Sequence, residues 1–399
     1  MADAGRVAIV PTRYGDGVIG GSEDVMRELA HGLAKRGWDV DVLTTCARSH
    51  YHWRNEYAPG LSQDGAVTVH RFATVQDGEK TRRDVLEGRI QLGLPISPDE
   101  QRTWLHGNVR VPDLFHHLVV SSSRYDAIVV SPYLFWTTAT CWQIAPEKTV
   151  VMPCLHDEHY AYLDLFRPML SEAAQLWFLA EPEHELAHRL LASGPAAELA
   201  PHRTTGAGVL QPAAYDPDGF RARHGLGDRP FVLYAGRREE GKGWPHLLGA
   251  FTKAVLEYGA DLDLVTPGVG PVDAPAAVAG RVHDLGFVAT DDLPHVFAAA
   301  NAYVQPSANE SFSRTIMEAW LAGTGVIANA ASDVVAWHCK RSGAGVLYDH
   351  PEQLVQALVL LAADPDMLDG LAARGREYVV DEYSPSLVLD RMEEGLRSL

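Results

Sequence analysis

Four short segments of this 399-residue chain carry residue types at spacings suited to phosphate and hydroxyl chemistry. Gly236-Arg-Arg-Glu-Glu-Gly-Lys-Gly243 sets Arg237 and Lys242 in one glycine-flanked loop. A guanidinium forks onto phosphate oxygens and an ammonium is a compact point charge, so the pair suits a diphosphate. The alternative is a solvated loop in which Glu239 and Glu240 neutralise the cations. Pro306-Ser-Ala-Asn-Glu-Ser-Phe-Ser-Arg-Thr-Ile-Met-Glu318 puts Glu310 in a loop and Glu318 in the second turn of the helix that follows. The amides of roughly Phe312, Ser313, Arg314 and Thr315 would form that helix's positive end and hold phosphate, while the carboxylates accept hydrogen bonds from hydroxyls. Read blandly, Glu318 is a helix-surface residue and Glu310 a loop acid.

Pro153-Cys-Leu-His-Asp-Glu-His159 offers His156 and His159 three apart. No other His/Cys cluster in the sequence completes a metal site with them, so His156 reads better as a hydrogen-bond donor lining a cleft. No metal or cofactor is expected. Gly15-Asp-Gly-Val-Ile-Gly20 matches G-x-G-x-x-G by letter, but Pro11-Thr-Arg-Tyr14 intervene after the preceding strand and the next strand ends in Thr44-Thr45-Cys46 rather than an acid. That disfavours a nicotinamide or flavin dinucleotide and an oxidoreductase. Gly20 and Gly21 at a helix start still expose amides to an anion. Asp39/Asp41 and Asp261/Asp263 resemble D-x-D pairs of metal-dependent sugar transferases, yet fall at strand entries, away from the expected ligand edge.

The elements that must position these segments alternate. Val7–Val10, Val40–Thr45, Val67–Phe72, Ala127–Val130 and Thr149–Met152 read as strands. Helices are expected from about Ser22, with Ser22 as N-cap, to Lys35, and over Pro112–Ser122, Leu155–Leu179 and Pro182–Leu191. Residues 75–111 are charged and lack a clear period, which suggests loops or a small insertion. The alternation restarts at Phe231–Ala235, continues through helix Trp244–Tyr258 and strands Leu262–Thr266, Val282–Phe287, Ala302–Gln305 and Val326–Asn329, with helices Asp292–Ala300 and Phe312–Leu321. The tail from Pro351 is helical. This is an α/β chain of two Rossmann-like doubly wound domains facing across a cleft, with C-terminal helices. The expected domains are 1–200, a linker 201–219, 220–380, and a helix 381–399 packing back on the N-terminal domain; the stretch from Gly194 to Gly219 is Ala/Gly/Pro-rich.

Lys and Arg total 34 against 52 Asp and Glu, a net charge of −18, and residues 1–200 alone carry 18 basic and 26 acidic side chains. Such acidity argues against nucleic-acid binding and a polybasic membrane anchor. Cys46, Cys141, Cys154 and Cys339 form no C-x-x-C pair, which points to a reducing cytoplasm. The N-terminus does not read as a signal peptide, and the uncharged stretch Ala127–Pro146 holds too many polar residues and prolines for a membrane span.

In this order and separation, the segments resemble retaining glycosyltransferases of family 4, which have the GT-B fold. Gly236-Arg…Lys242-Gly243 resembles that family's G-R-x4-K-G and Glu310…Glu318 its E-x7-E. Pro153-Cys-Leu-His-Asp-Glu158 and Trp337-His-Cys-Lys-Arg-Ser-Gly343 are similar to a bacterial branch acting in surface-polysaccharide or natural-product glycosylation. The resemblance implies that Arg237 and Lys242 bind the donor diphosphate, Glu318 the ribose and Glu310 the sugar hydroxyls. It further implies that His156 contacts the transferred sugar, that Gly20 and Gly21 approach the phosphates, and that Val288 meets the base through its backbone. Phe312, Ser313, Arg314 and Thr315 complete the donor pocket. The expected activity is transfer from a UDP- or GDP-sugar to a small-molecule acceptor. A polysaccharide or lipid-linked acceptor is the alternative, and a phosphorylase-like or non-catalytic sugar-nucleotide binder a further one. Two positions depart from the pattern: Gly325 stands where proline follows Gly-Thr, and Arg314 where an aliphatic residue is common.

Overall fold

The computed structural model describes residues 5–194, 197–289 and 291–399. Pro195 and Ala196, within the stretch read as a domain boundary, lie outside the described residues. The chain divides into two compact units, one ending at Gly208 and regaining Ser386–Leu399, the other spanning Val209–Pro385.

The first unit holds an eight-stranded sheet. Its strands are β1 (Arg6–Pro11), β2 (Asp39–Thr45), β3 (Gly60–Asp64), β4 (Val67–Phe72), β5 (Ala127–Ser131), β6 (Thr149–Val151), β7 (Gln175–Phe178) and β8 (His202–Thr204). They lie in the order β3-β4-β2-β1-β5-β6-β7-β8, all parallel except the β3–β4 hairpin. The central strands are nearly unbroken apolar runs because helices cover both faces of a parallel sheet. Its helices are α1 (Gly21–Lys35), α2 (Lys80–Gln91), α3 (Pro98–Gly107), α4 (Pro112–Ser121), α5 (Trp136–Cys141), α6 (Arg167–Glu172) and α7 (Glu181–Ala192).

The second unit is a six-stranded parallel sheet in the order β11-β10-β9-β12-β13-β14. These are β9 (Phe231–Leu233), β10 (Asp263–Pro267), β11 (Val282–Gly286), β12 (Ala302–Gln305), β13 (Gly325–Asn329) and β14 (Val346–Tyr348). Around it pack α8 (Pro217–His224), α9 (Trp244–Tyr258), α10 (Leu293–Ala299), α11 (Arg314–Ala322), α12 (Asp333–Ser342), α13 (Pro351–Ala363) and α14 (Asp369–Tyr383). The last helix, α15 (Pro385–Arg397), lies on the first unit: Arg36 and the Trp38 indole bond Glu393, and a Cβ at Gly32 would meet Leu389 at 2.7 Å.

Several expectations need correction. Leu155–Leu179 is not a helix; it runs through short 3-10 turns and α6 into β7, whose Leu-Trp-Phe run is buried on both faces. A short apolar run has no period to tell strand from helix. Residues 75–111 hold two helices, and α3 opens with a capping box in which Ser97 Oγ accepts from the Glu100 amide at 3.3 Å and Glu100 accepts from the Ser97 amide at 2.7 Å. Strands β3 and β8 escape a hydrophobic pattern because most of their residues are exposed. Ser22 does not cap α1: Gly20 is the N-cap and the Ser22 hydroxyl bonds Glu23. Gly325 has a packing reason, since a Cβ there would lie 2.2 Å from that of Leu368. The four cysteines are free and buried. Among the described residues no helix is long and apolar enough to cross a membrane.

Candidate functional site

In the second sheet, chain order reverses between the adjacent strands β9 and β12, the switch point beyond whose carboxyl ends doubly wound sheets bind ligands. Both the Gly236–Gly243 loop and the Pro306–Ser313 loop leave the sheet there. They touch. Lys242 Nζ lies 2.8 Å from Glu310 Oε1 and 3.4 Å from the Asn309 carbonyl. Gly243, the N-cap of α9, has φ 73°, and a Cβ on it would meet the Pro306 carbonyl at 2.5 Å. Lysine and glycine are therefore adjacent because one reaches the facing loop and the other lets it come near.

The adjacent arginines take different parts. The Arg237 side chain is 35% exposed and pairs with Glu239 at 3.0 Å. Arg238 is 3% exposed, pairs with Asp284 at 3.1 Å and donates to the Gly270 carbonyl at 2.9 Å. It ties the loop to Pro267-Gly-Val-Gly-Pro271, where Gly268 and Gly270 have φ 132° and 107° and face the carbonyls of Gly236 and Arg238. Sequence reasoning passed over this glycine pair, although its spacing after β10 was visible.

Ser313 is the N-cap of α11 in the left-handed region at φ 65°, and its hydroxyl accepts from Gln305 at 2.8 Å. Phe312 packs edge-on to His338 and Tyr383, with ring centroids 5.1 and 5.0 Å away. These contacts fix the start of the helix, whose first-turn amides carry its positive end. Arg314 and Thr315 begin that turn, and Thr315 Oγ1 accepts from Tyr303 at 2.9 Å. Glu318 lies one turn further, half-buried. Burial first, and the charges of Glu310 and Glu318 as well, hold the Tyr303 phenol far above its ordinary value. Val288 sits half-buried in the loop after β11.

Gly20, Gly21 and His156 belong to the first unit, where order reverses between β1 and β5. Gly20 abuts a buried ion pair: Arg13 and Glu23, each 6% exposed, meet at 2.6 Å, and a Cβ on Gly20 would come within 2.2 Å of Glu23. Arg13 also holds the carbonyls of Ile19 and Arg48. His156 lies beyond β6, its Nδ1 3.8 Å from Glu158, which accepts from Tyr133 at 2.8 Å. Its loop is anchored by Glu183, a residue the motifs did not flag. The two Glu183 oxygens accept from the amides of Leu155 at 2.7 Å and Leu179 at 2.6 Å. Burial pushes that carboxyl up to about 8, against the pull of those amides.

Among the described residues His156 and His159 join no third metal-ligating group. Asp41 and Asp263 are tied up at the strand entries, by Arg6 and Tyr125 and by Arg229 and His283. The first unit also contains a cavity of about 530 Å³, walled by Trp53, Trp104, Phe135, Trp136 and Tyr160 with Glu87 among its polar groups.

Residues 229–364 match the family model described as Glycosyl transferases group 1. The 2-deoxystreptamine glucosyltransferase of Streptomyces kanamyceticus is 30% identical over 196 residues, 43% of this chain and 49% of that protein. The lipopolysaccharide core biosynthesis glycosyltransferase LpsE of Rhizobium meliloti is 28% identical over 171 residues, 41% of this chain and 48% of that one. The chain thus spans about half the length of the curated relatives it matches. Among solved structures, sucrose-phosphate synthase from Thermosynechococcus elongatus aligns over 99% of this chain and 98% of its own, with TM-score 0.73 and 19% identity. Anabaena HepE in complex with UDP-glucose aligns over 99% and 100%, with TM-score 0.69 and 18% identity. With two Rossmann-like units of parallel sheet and covering helices, the chain has the GT-B fold of these structures.

Proposed function

We propose that the protein is a retaining, metal-independent glycosyltransferase of family 4 that moves a sugar from a nucleoside diphosphate sugar, UDP- or GDP-linked, to a small-molecule acceptor. The observation that carries this reading is the meeting of Lys242 and Glu310 at the β9/β12 switch point, beside the start of α11. Breaking the anomeric carbon–phosphate bond leaves negative charge on the diphosphate. Arg237, Lys242 and the α11 amides are fixed cationic and dipolar groups that meet that charge as it develops. We assign Glu310 to the sugar hydroxyls, Glu318 to the ribose, Val288 to the base, Gly20 and Gly21 to the phosphates and His156 to the transferred sugar. Retention follows if the acceptor attacks from the leaving-group face and the departing phosphate takes its proton. A UDP-sugar donor is favoured by the UDP-glucose named for the HepE structure.

The first unit's aromatic cavity suits a hydroxylated ring stacked on indole and phenol faces, which is why we assign it the acceptor. The name of the S. kanamyceticus relative favours a small cyclitol-type acceptor; the LpsE likeness favours a lipid-linked one. A thermal-shift panel of UDP-, GDP-, ADP- and dTDP-sugars, followed by nucleoside diphosphate release with and without acceptor, tests the reading. Stabilisation by one nucleotide class and acceptor-dependent release are expected. Absence of both would overturn it, and sedimentation with anionic liposomes would shift the acceptor to a lipid.

A further inference from the structure

Three histidines outside all the motifs come together on the first unit. His184 and His188 lie one turn apart on α7, beside His202 of the edge strand β8, and their candidate ligand atoms all fall within 4.8 Å of one another. The Nε2 atoms of His184 and His188 are 2.9 Å apart, and the His184 and His202 rings stack with centroids at 4.3 Å. The tautomers of His184 and His202 are set from behind. His184 Nδ1 lies 3.0 Å from Glu181 Oε1, and His202 Nδ1 lies 3.0 Å from the Ala200 carbonyl. An imidazole that donates through Nδ1 presents its Nε2 lone pair.

Glu181 is itself held, because its second oxygen accepts from the Thr204 hydroxyl at 3.3 Å. A carboxylate behind His184 and a carbonyl behind His202 are the kind of partner that orients histidine ligands around metals. Tetrahedral zinc with bonds of about 2.0–2.1 Å spaces its nitrogens about 3.3 Å apart, inside the range these rings span. Phe178 supplies an apolar floor, 5.5 Å from His184 and 6.0 Å from His202 between ring centroids.

We propose that His184, His188 and His202 form a binding site for a late first-row dication, with zinc as the reference ion and the remaining coordination positions open to water. Three neutral imidazoles select Zn2+, Ni2+ or Cu2+ over calcium or magnesium. Binding replaces the His184–His188 hydrogen bond, so His188 shifts its proton to Nδ1 and no other reactant is required. The ion would clip α7 to β8, a three-residue strand paired with β7 alone at the edge of its sheet. The role is structural.

The test titrates Zn2+ into the metal-stripped full chain against a chromophoric chelator. One site is expected that His188→Ala and His202→Ala each weaken at least 10-fold, while His350→Ala on the second unit leaves it unchanged. Glu181→Gln should weaken it about 10-fold, the usual effect of losing such an orienting group. Zinc should raise the Tm of the parent and not of His188→Ala. Should an alanine variant misfold by circular dichroism, His202→Gln at its exposed position takes its place. Equal zinc affinity in the parent and the His188→Ala/His202→Ala double variant would overturn the proposal, leaving a histidine–histidine hydrogen bond only.

Discussion

The two sheets reverse chain order in the same way, at β1/β5 and at β9/β12, yet they hold their strand-end loops by different means. In the second unit the loops brace one another through close backbone approaches at Gly243, Gly268 and Gly270 and through the Lys242–Glu310 pair. In the first unit buried carboxyl groups do that work: Glu23 holds Arg13 beneath the glycine loop, and Glu183 holds the loop of His156. A loop braced by backbone contact needs glycine at defined places. A loop braced by a buried carboxyl group needs one partner, which can come from anywhere in the chain.

The contrast breaks most visibly if the buried charge is removed. Glu23→Ala strands the Arg13 guanidinium in an interior where each member is 6% exposed, and the expected cost is about 3–5 kcal/mol. Urea unfolding followed by fluorescence measures it. A cost below about 1 kcal/mol would mean that the pair does not brace the glycine loop.

Next comes Lys242→Ala. Its side chain is 27% exposed and its ammonium bonds Glu310 and the Asn309 carbonyl of the facing loop, so folding should change less than kcat, which falls on the order of 10²-fold through lost charge stabilisation in the transition state. Steady-state rates with the nucleotide sugar found by the thermal-shift panel decide this. Unchanged turnover would make the loop a merely solvated one.

A third test sharpens the comparison by its sign. Glu183 has a folded value of about 8 against 4.5 for the free group, so the folded chain holds a proton that the unfolded chain releases. Stability therefore falls as pH rises from 4.5 to about 8. In the second unit, burial lowers His338 to about 3 from 6.5, so the unfolded chain takes up a proton that the folded one refuses. Stability there falls as pH drops from 6.5 towards 3, each group contributing at most about 1.4 kcal/mol per pH unit. Urea midpoints across pH should flatten on the alkaline side in Glu183→Gln and on the acid side in His338→Gln. Identical profiles in all three proteins would show that neither group is linked to folding.

Much of the second unit was legible in the sequence because its determinants are local. Helix α9 runs from Trp244 to Tyr258 and strand β12 from Ala302 to Gln305, as their patterns require. The distinction between Arg237 and Arg238 was not legible: neighbours in sequence, they are separated by Asp284, which arrives from β11. The first unit was harder. Strand β7 hid inside an apolar stretch, and the cavity's Trp104 and Tyr160 come from segments read as a charged loop and as a continuous helix.

Sequence alone determined the alternation of strand and helix, the glycines where chains must pass closely, and the cations and carboxylates set a few residues apart, because these depend on φ/ψ freedom and short-range periodicity. Only the tertiary structure decided which carboxylate braces which loop, where the aromatic cavity opens, and that His202 lands beside His184 and His188. Those outcomes depend on strand order, which brings distant residues together without leaving any mark in the spacing between them.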